Sequence, residues 1–122
     1  MRWIKGRKIT YTPKQTTEYE KLVRASYTAV SKIFFEKDTP LIIGIIALFS
    51  IPKSVSKKTK NSMLKGDILP TKKPDSDNII KIILDALNGV CYHDDAQICS
   101  IHFEKKYAEI PATKIIIKEI KL

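Results

Sequence analysis

Four aspartates stand at the two ends of one short apolar stretch in residues 72–97 (KKPDSDNIIKIILDALNGVCYHDDAQ): Asp75 and Asp77 before it, Asp94 and Asp95 after it. Carboxylate oxygens are hard ligands. Mg²⁺ takes one or a few of them, keeps several waters and lets a substrate phosphate complete its shell. Asp75 and Asp77, with a third carboxylate from the Asp94–Asp95 pair, would make such a set. A cation held there would polarise a phosphodiester, lower the pKa of a bound water and stabilise the leaving oxygen. Lys81, four residues after Asp77, would neutralise charge developing in the transition state. Each pair alone has a plainer explanation, since Asp77 is a good helix cap and Asp94–Asp95 a good turn. Their joint occurrence beside a lysine-rich stretch favours the metal.

That contrast extends to the whole chain. Its 122 residues carry a net charge of +9. Residues 1–73 hold 16 Lys+Arg against 5 Asp+Glu, whereas residues 74–122 hold 6 against 8. A basic half beside a local acidic centre suits a protein that grips a polyanion and acts on it. Lys5, Arg7 and Lys8 in a basic N-terminal arm, and Lys53, Lys57, Lys58, Lys60, Lys72 and Lys73 further on, are the candidate phosphate contacts.

Other chemistries fit less well. Cys91, His93, Cys99 and His102 have zinc-ligand types, but the spacing C-x-H-x5-C-x2-H lacks the close cysteine pair of structural zinc sites. Cys99 and His102 would also point to opposite faces of a strand. With Gly6, Gly44, Gly66 and Gly89 as its only glycines, the chain has no nucleotide-binding glycine loop, and no serine-triad context is visible. Two cysteines do not make a disulfide framework, and MRWIKGRK lacks the apolar core of a signal peptide. The apolar run at residues 40–51 is bounded by Pro40 and Pro52 and falls short of the ~20 residues that span a bilayer. A cytoplasmic protein with reduced thiols and no membrane contact is the expectation.

The elements that must position the aspartates can be read in order. Residues 1–11 give a short strand fragment or an extended arm. Thr12, Pro13 and Gln15 open a helix with a capping box. Tyr19, Leu22, Val23, Tyr27, Val30 and Phe34 continue its apolar stripe, which predicts an end at residues 36–38. Residues 41–51, β-branched and apolar without alternation, predict a central strand covered on both faces. Residues 52–73 read as a flexible basic loop with at most one helical turn. Asp77 or Asn78 would cap a second helix whose apolar face is Ile79, Ile80, Ile83, Leu84 and Leu87, stopped by Gly89. Residues 97–107 and 113–122 read as two strands pairing as an antiparallel hairpin. The expected fold is one α+β domain over residues 1–122, a small mixed sheet of about three to four strands packed with two main helices.

The central run closely resembles the signature of RusA-type Holliday junction resolvases: a basic stretch, D-x-D-N, a lysine four residues after the second aspartate, D-A-L, and D-D-x-Q. The segment with KGRK and TYTPKQTTEYEKL is similar to the N-terminal region of phage-borne members, so the resemblance covers most of the chain. It implies a RusA-like fold and a Mg²⁺-dependent homodimeric endonuclease, with Mn²⁺ able to substitute and no nucleotide cofactor. Such an enzyme resolves four-way DNA junctions by paired nicks in DNA recombination and repair. Carried over by position, the essential carboxylates are Asp75, Asp77 and Asp95, Lys81 is the catalytic lysine, and Asn78, Asp85 and Asp94 support them. The chain departs from the pattern at its start. Only Met1 to Ile4 precede the KGR-like segment, so the first strand is expected to be shortened or missing. A protein that binds junctions without cutting them is the alternative, and a zinc-stabilised interaction domain a more distant one.

Overall fold

The computed structural model describes residues 2–5 and 16–121. Along the chain come strand β1 (Arg2–Lys5), helix α1 (Thr16–Val30), strand β2 (Leu41–Ser50), helices α2 (Lys57–Lys65) and α3 (Ser76–Leu87), a 3₁₀ turn (Asp95–Gln97), and strands β3 (Ile98–Ala108) and β4 (Ala112–Glu119). The fold is α+β, as expected from the sequence, with a third helix that the sequence reading did not foresee.

β2 is the most apolar strand and takes an interior place in the sheet, whose order is β1-β4-β2-β3. It runs parallel to β3 and antiparallel to β4, with Ile43 opposite both Ile101 and Ile117. The expected β3–β4 hairpin is therefore corrected. The two strands are not neighbours, because β2 lies between them. The connection at residues 109–111 steps past the end of β2, where Ser50 pairs with Ala108 and Leu48 with Ala112. Crossing two strand spacings needs about 10 Å, within reach of so short an extended link. β1 is short, as its few residues dictate, but present: Trp3 pairs with Ile116.

One face of the sheet carries the core. Leu41, Ile43, Ile45 and Ala47 of β2 and Ile115 and Ile117 of β4 are buried there against Val23 and Tyr27 of α1 and against Ile79, Ile82, Ile83, Ala86 and Leu87 of α3. Full burial of a residue such as Ile83 stabilises by about 1.5–3 kcal/mol. The opposite face, with Ile42, Ile46, Leu48 and Ile116, is only half-buried. The expectation of burial on both faces of β2 thus holds for one of them. On α3 the buried stripe is rotated from the expected one, with Ile82 and Ala86 inside and Ile80 and Leu84 at its edge.

The expected start of α1 at Thr12, Pro13 and Gln15 lies outside the described residues. Its end is at Val30, not residues 36–38. Buried Tyr27 explains the stop. Its hydroxyl donates to the Ile33 carbonyl at 2.6 Å, and Ser31 Oγ accepts the Ile33 amide at 3.1 Å. Both groups are thereby diverted from a continuing helical ladder. Val30 and Phe34 are consequently exposed.

The basic stretch at residues 52–73 is not a loop throughout. Ser56 caps α2 by accepting the Thr59 amide, and Gly66, at φ 87°, closes it in the left-handed conformation that glycine adopts at no steric cost. Met63 anchors the helix, leaving Lys57, Lys58, Lys60 and Lys65 outward.

Candidate active site

α3 is the frame of the site. With its apolar face buried, helical spacing puts Asp77, Lys81, Asp85 and Asn88 on the outward side, about one turn apart. Asp77, Asn78 and Lys81 are exposed, while Asp85 and Asn88 are half-buried. The cap is Asp75, rather than Asp77 or Asn78. Its backbone is extended at φ −68°, ψ 149°, and its carbonyl accepts the Ile79 amide at 3.1 Å. Its carboxylate makes no capping hydrogen bond. An aspartate occupying a cap position without using its side chain there leaves that side chain to another ligand, at the end of the helix dipole that favours anions.

At the other end, Gly89 (φ 79°) turns the chain, and its amide donates to the Tyr92 carbonyl at 2.9 Å. Tyr92 is buried with its hydroxyl on the Leu84 carbonyl at 2.7 Å, so the segment is laid back against α3. Burial raises the Tyr92 pKa, and the nearby Cys91 thiol and the carboxylates of Asp95, Asp85 and Asp94 raise it further.

Gln97 then fixes the two aspartates. Its Oε1 accepts the amides of His93 at 3.0 Å and Asp94 at 3.2 Å, while its Nε2 donates to the carbonyls of Glu36 and Thr39. Asp94 caps the 3₁₀ turn by accepting the Ala96 amide. Asp95 is held through its amide, which donates to Asn88 Oδ1 at 2.9 Å. The Asp95 carboxyl is pushed above the usual carboxylate range, first by burial, then by a hydrogen bond and charge from Asp94 and the charge of Asp85; Asn88 opposes the rise.

The carboxylates thus form two groups. Asp95 is tied to Asn88 and feels the charges of Asp94 and Asp85, and Asp75 and Asp77 stand at the opposite end of a 12-residue helix. At 1.5 Å per residue that helix is about 18 Å long. Among the described residues of the single chain, no three His, Cys, Asp or Glu side chains form a group able to hold a metal ion. The donors nonetheless fit a hard divalent cation in kind. They are all carboxylate oxygens, Asp75 is uncommitted, and the described ion pairs, Lys60–Glu109, His102–Glu104 and Lys106–Glu104, leave all five aspartates without a cationic partner.

Of the candidate phosphate contacts, Lys57, Lys58 and Lys60 share α2, and Lys53, Lys72 and Lys73 are exposed in the segments before and after it. Lys5 ends β1, and Arg7 and Lys8 lie outside the described residues. The Lys60 ammonium reaches Glu109 at 3.2 Å. Of the zinc-type residues, Cys91 is buried and Cys99 exposed. Burial pushes the Cys91 thiol up to about 11. His93 packs edge-on against Phe34, with ring centroids 4.7 Å apart.

Two residues that hold the Asp94–Asp95 segment were not singled out from the sequence. Gln97 ends the D-D-x-Q motif, which marked it without showing its task. Asn88 falls on the α3 stripe with the aspartates.

The chain matches the family model Endodeoxyribonuclease RusA over residues 1–118. It is also 40% identical over 83 residues to the Uncharacterized protein YqaN of Bacillus subtilis (strain 168), a match covering 66% of this chain and 58% of that relative. The chain thus spans little more than half the length of that curated protein. No helix among the described residues is long and apolar enough to cross a membrane.

Proposed function

The chain belongs to the RusA endodeoxyribonuclease family, and from that membership and the placing of its aspartates we propose that it is a homodimeric, Mg²⁺-dependent endonuclease that nicks four-way DNA junctions. The observation that carries the reading is the row of aspartates on and around α3, without ion-pair partners among the described residues, in a chain of net charge +9. Asp75, Asp77 and Asp95 are the carboxylates that would hold the cation, with Mn²⁺ able to replace Mg²⁺. When bound, the cation supplies charge neutralisation at the scissile phosphate and a stronger water nucleophile.

The chain's own residues do the rest. Lys57, Lys58 and Lys60 of α2, with Lys53, Lys72 and Lys73, hold the phosphate backbone. Lys81, midway along α3, meets the charge that builds on the phosphate. Asp94 keeps the 3₁₀ turn in place, Asp85 lends charge to the Asp95 end, and Asn78 stands beside Asp77 in the first turn.

The separation of the two carboxylate groups supports a shared site. In an isologous dimer each contact occurs twice with the partners exchanged. A two-fold axis near Lys81 would lay α3 antiparallel to its copy, bringing Asp75 and Asp77 of one subunit towards the partner's Asp95. Two equivalent sites then sit on one surface, as paired nicking of opposite strands needs.

A labelled synthetic four-way junction, incubated with Mg²⁺ or with EDTA, tests the function. Symmetric nicks with Mg²⁺, lost in Asp75→Asn, are expected. Tight junction binding without nicks in any divalent metal would instead establish the non-cleaving alternative.

A further inference from the structure

The segment that delivers Asp75 to the head of α3 is gripped from the sheet by one side chain. Lys105 lies on edge strand β3, opposite Ala47, on the face that carries the helices. A lysine on a strand edge ordinarily extends its ammonium into water. Here the residue is half-buried, and its Nζ donates to the carbonyl of Lys72 at 2.6 Å and to that of Pro74 at 3.2 Å. The same ammonium sits 5.0 Å from the centroid of the Phe49 ring, a cation–π distance. Two residues on, Tyr107 faces the same way, and the Lys72 ammonium lies 6.0 Å from its ring centroid. Neighbouring Lys106, by contrast, turns to Glu104 at 3.5 Å.

Pro74 is joined directly to Asp75. A clamp on the Pro74 carbonyl therefore orients the peptide from which the Asp75 side chain departs, and no capping bond of its own fixes that side chain. We propose that Lys105 is a positioning residue for the metal site: by holding the carbonyls of Lys72 and Pro74 it sets the direction of the Asp75 carboxylate. This rests on the reading of Asp75 as a metal ligand. Groups that orient metal ligands from outside typically change metal affinity by roughly 10–100-fold when removed. Because Lys105 acts on one carboxylate of the set, the expected loss is near the lower figure.

Lys105→Met keeps the aliphatic stem over Phe49 and removes the donors, while Lys105→Arg retains charge and donors. Mn²⁺ binding to each purified dimer, followed by electron paramagnetic resonance without DNA, should weaken roughly tenfold in Lys105→Met and stay close to the parent in Lys105→Arg. The Mg²⁺ midpoint for junction nicking should move by the same factor, with the rate restored at saturating Mg²⁺ and the thermal midpoints of both variants near the parent. Unchanged Mn²⁺ affinity in Lys105→Met overturns the proposal, as does a loss that is equal in both variants or that merely follows the thermal midpoint. Asp75→Asn, measured alongside, separates the two claims. If it binds Mn²⁺ and nicks like the parent, the reading of Asp75 is wrong and Lys105 falls with it. If it abolishes both while Lys105→Met changes neither, only the role of Lys105 is lost.

Discussion

The Asp95 amide donates to Asn88 Oδ1 at 2.9 Å, tying the Asp94–Asp95 turn to the residue that caps the C-terminus of α3. This bond holds Asp95 against the repulsion of Asp85 and Asp94, whose charges help to raise its pKa. Asn88→Ala should therefore remove about 1 kcal/mol of stability, the usual worth of one such bond. Junction nicking should fall much further than that loss explains, because Asp95 is then free to move away from its neighbours. Chemical denaturation and nicking rates on the same samples check both parts; an activity loss no larger than the fraction unfolded would remove Asn88 from the site.

Asp75 gives the opposite pattern. Replacing a capping aspartate by alanine ordinarily costs ~1 kcal/mol because a side-chain hydrogen bond to the helix is lost. No such bond exists here, and asparagine caps as well as aspartate does. Asp75→Asn should leave the thermal midpoint within a degree or two of the parent while abolishing Mg²⁺-dependent nicking. A clear drop in stability would show that the carboxylate is engaged with the helix after all.

Gln97 is a structural clasp. One buried amide side chain satisfies the amides of His93 and Asp94 and the carbonyls of Glu36 and Thr39. Gln97→Ala strands these partners and should cost on the order of 3 kcal/mol, lowering the thermal midpoint by roughly 10 °C. Gln97→Glu keeps the acceptor but removes the donor, and should fall between the two. Calorimetric melts of the three proteins settle the order.

The parts that could be read from the sequence are those where one residue type does one local job. The existence of α3, the glycine that follows it and the strand character of residues 41–50 follow from period and composition, and the structure contains all three, although the buried stripe of α3 is rotated from the expected one. Failures came where a distant partner decides. The end of α1 depends on a hydroxyl, Tyr27, that captures the Ile33 carbonyl, and no periodicity records that choice. The strand order depends on β2 entering between two strands that are adjacent in sequence. The length of α2 was hidden by its lysines, because Ser56 and Gly66 cap a helix whose one buried side chain is Met63. At the candidate site, motif spacing marked Asp75, Asp77 and Asp95 as candidates, whereas the separation of Asp95 from Asp75 and Asp77 depends on where the chain goes after Gly89.

α2 carries the clearest electrostatic test. Lys57, Lys58, Lys60 and Lys65 project from one short helix, and Lys60 is drawn to Glu109 across an exposed gap of 3.2 Å. Each lysine that neutralises a DNA phosphate contributes about 0.9 to the slope of log affinity against log salt concentration. Changing Lys57, Lys58 and Lys65 together to glutamine should lower junction affinity at low salt and reduce that slope by roughly 2–3. Lys60→Gln alone should have a smaller effect, because part of its charge is already met by Glu109. A slope equal to the parent's would take α2 off the DNA surface.

The proposed shared site makes a prediction that a site within one subunit cannot. Asp75→Asn and Asp95→Asn are each expected to be inactive as homodimers, since every site in either contains one damaged carboxylate. In a mixed dimer the outcome depends on how the sites are built. If Asp75 of one subunit works with the partner's Asp95, one site collects both substitutions and the other collects neither. The mixed dimer then carries one intact site and should nick one strand of the junction. If Asp75 and Asp95 of the same subunit work together, both sites remain damaged and the mixture stays inactive. Co-refolding the two variants in equal amounts gives about half mixed dimers when pairing is random, so the recovered rate should be about a quarter of the parent's summed over its two sites. Single nicks in place of symmetric pairs are the signature to look for on a denaturing gel.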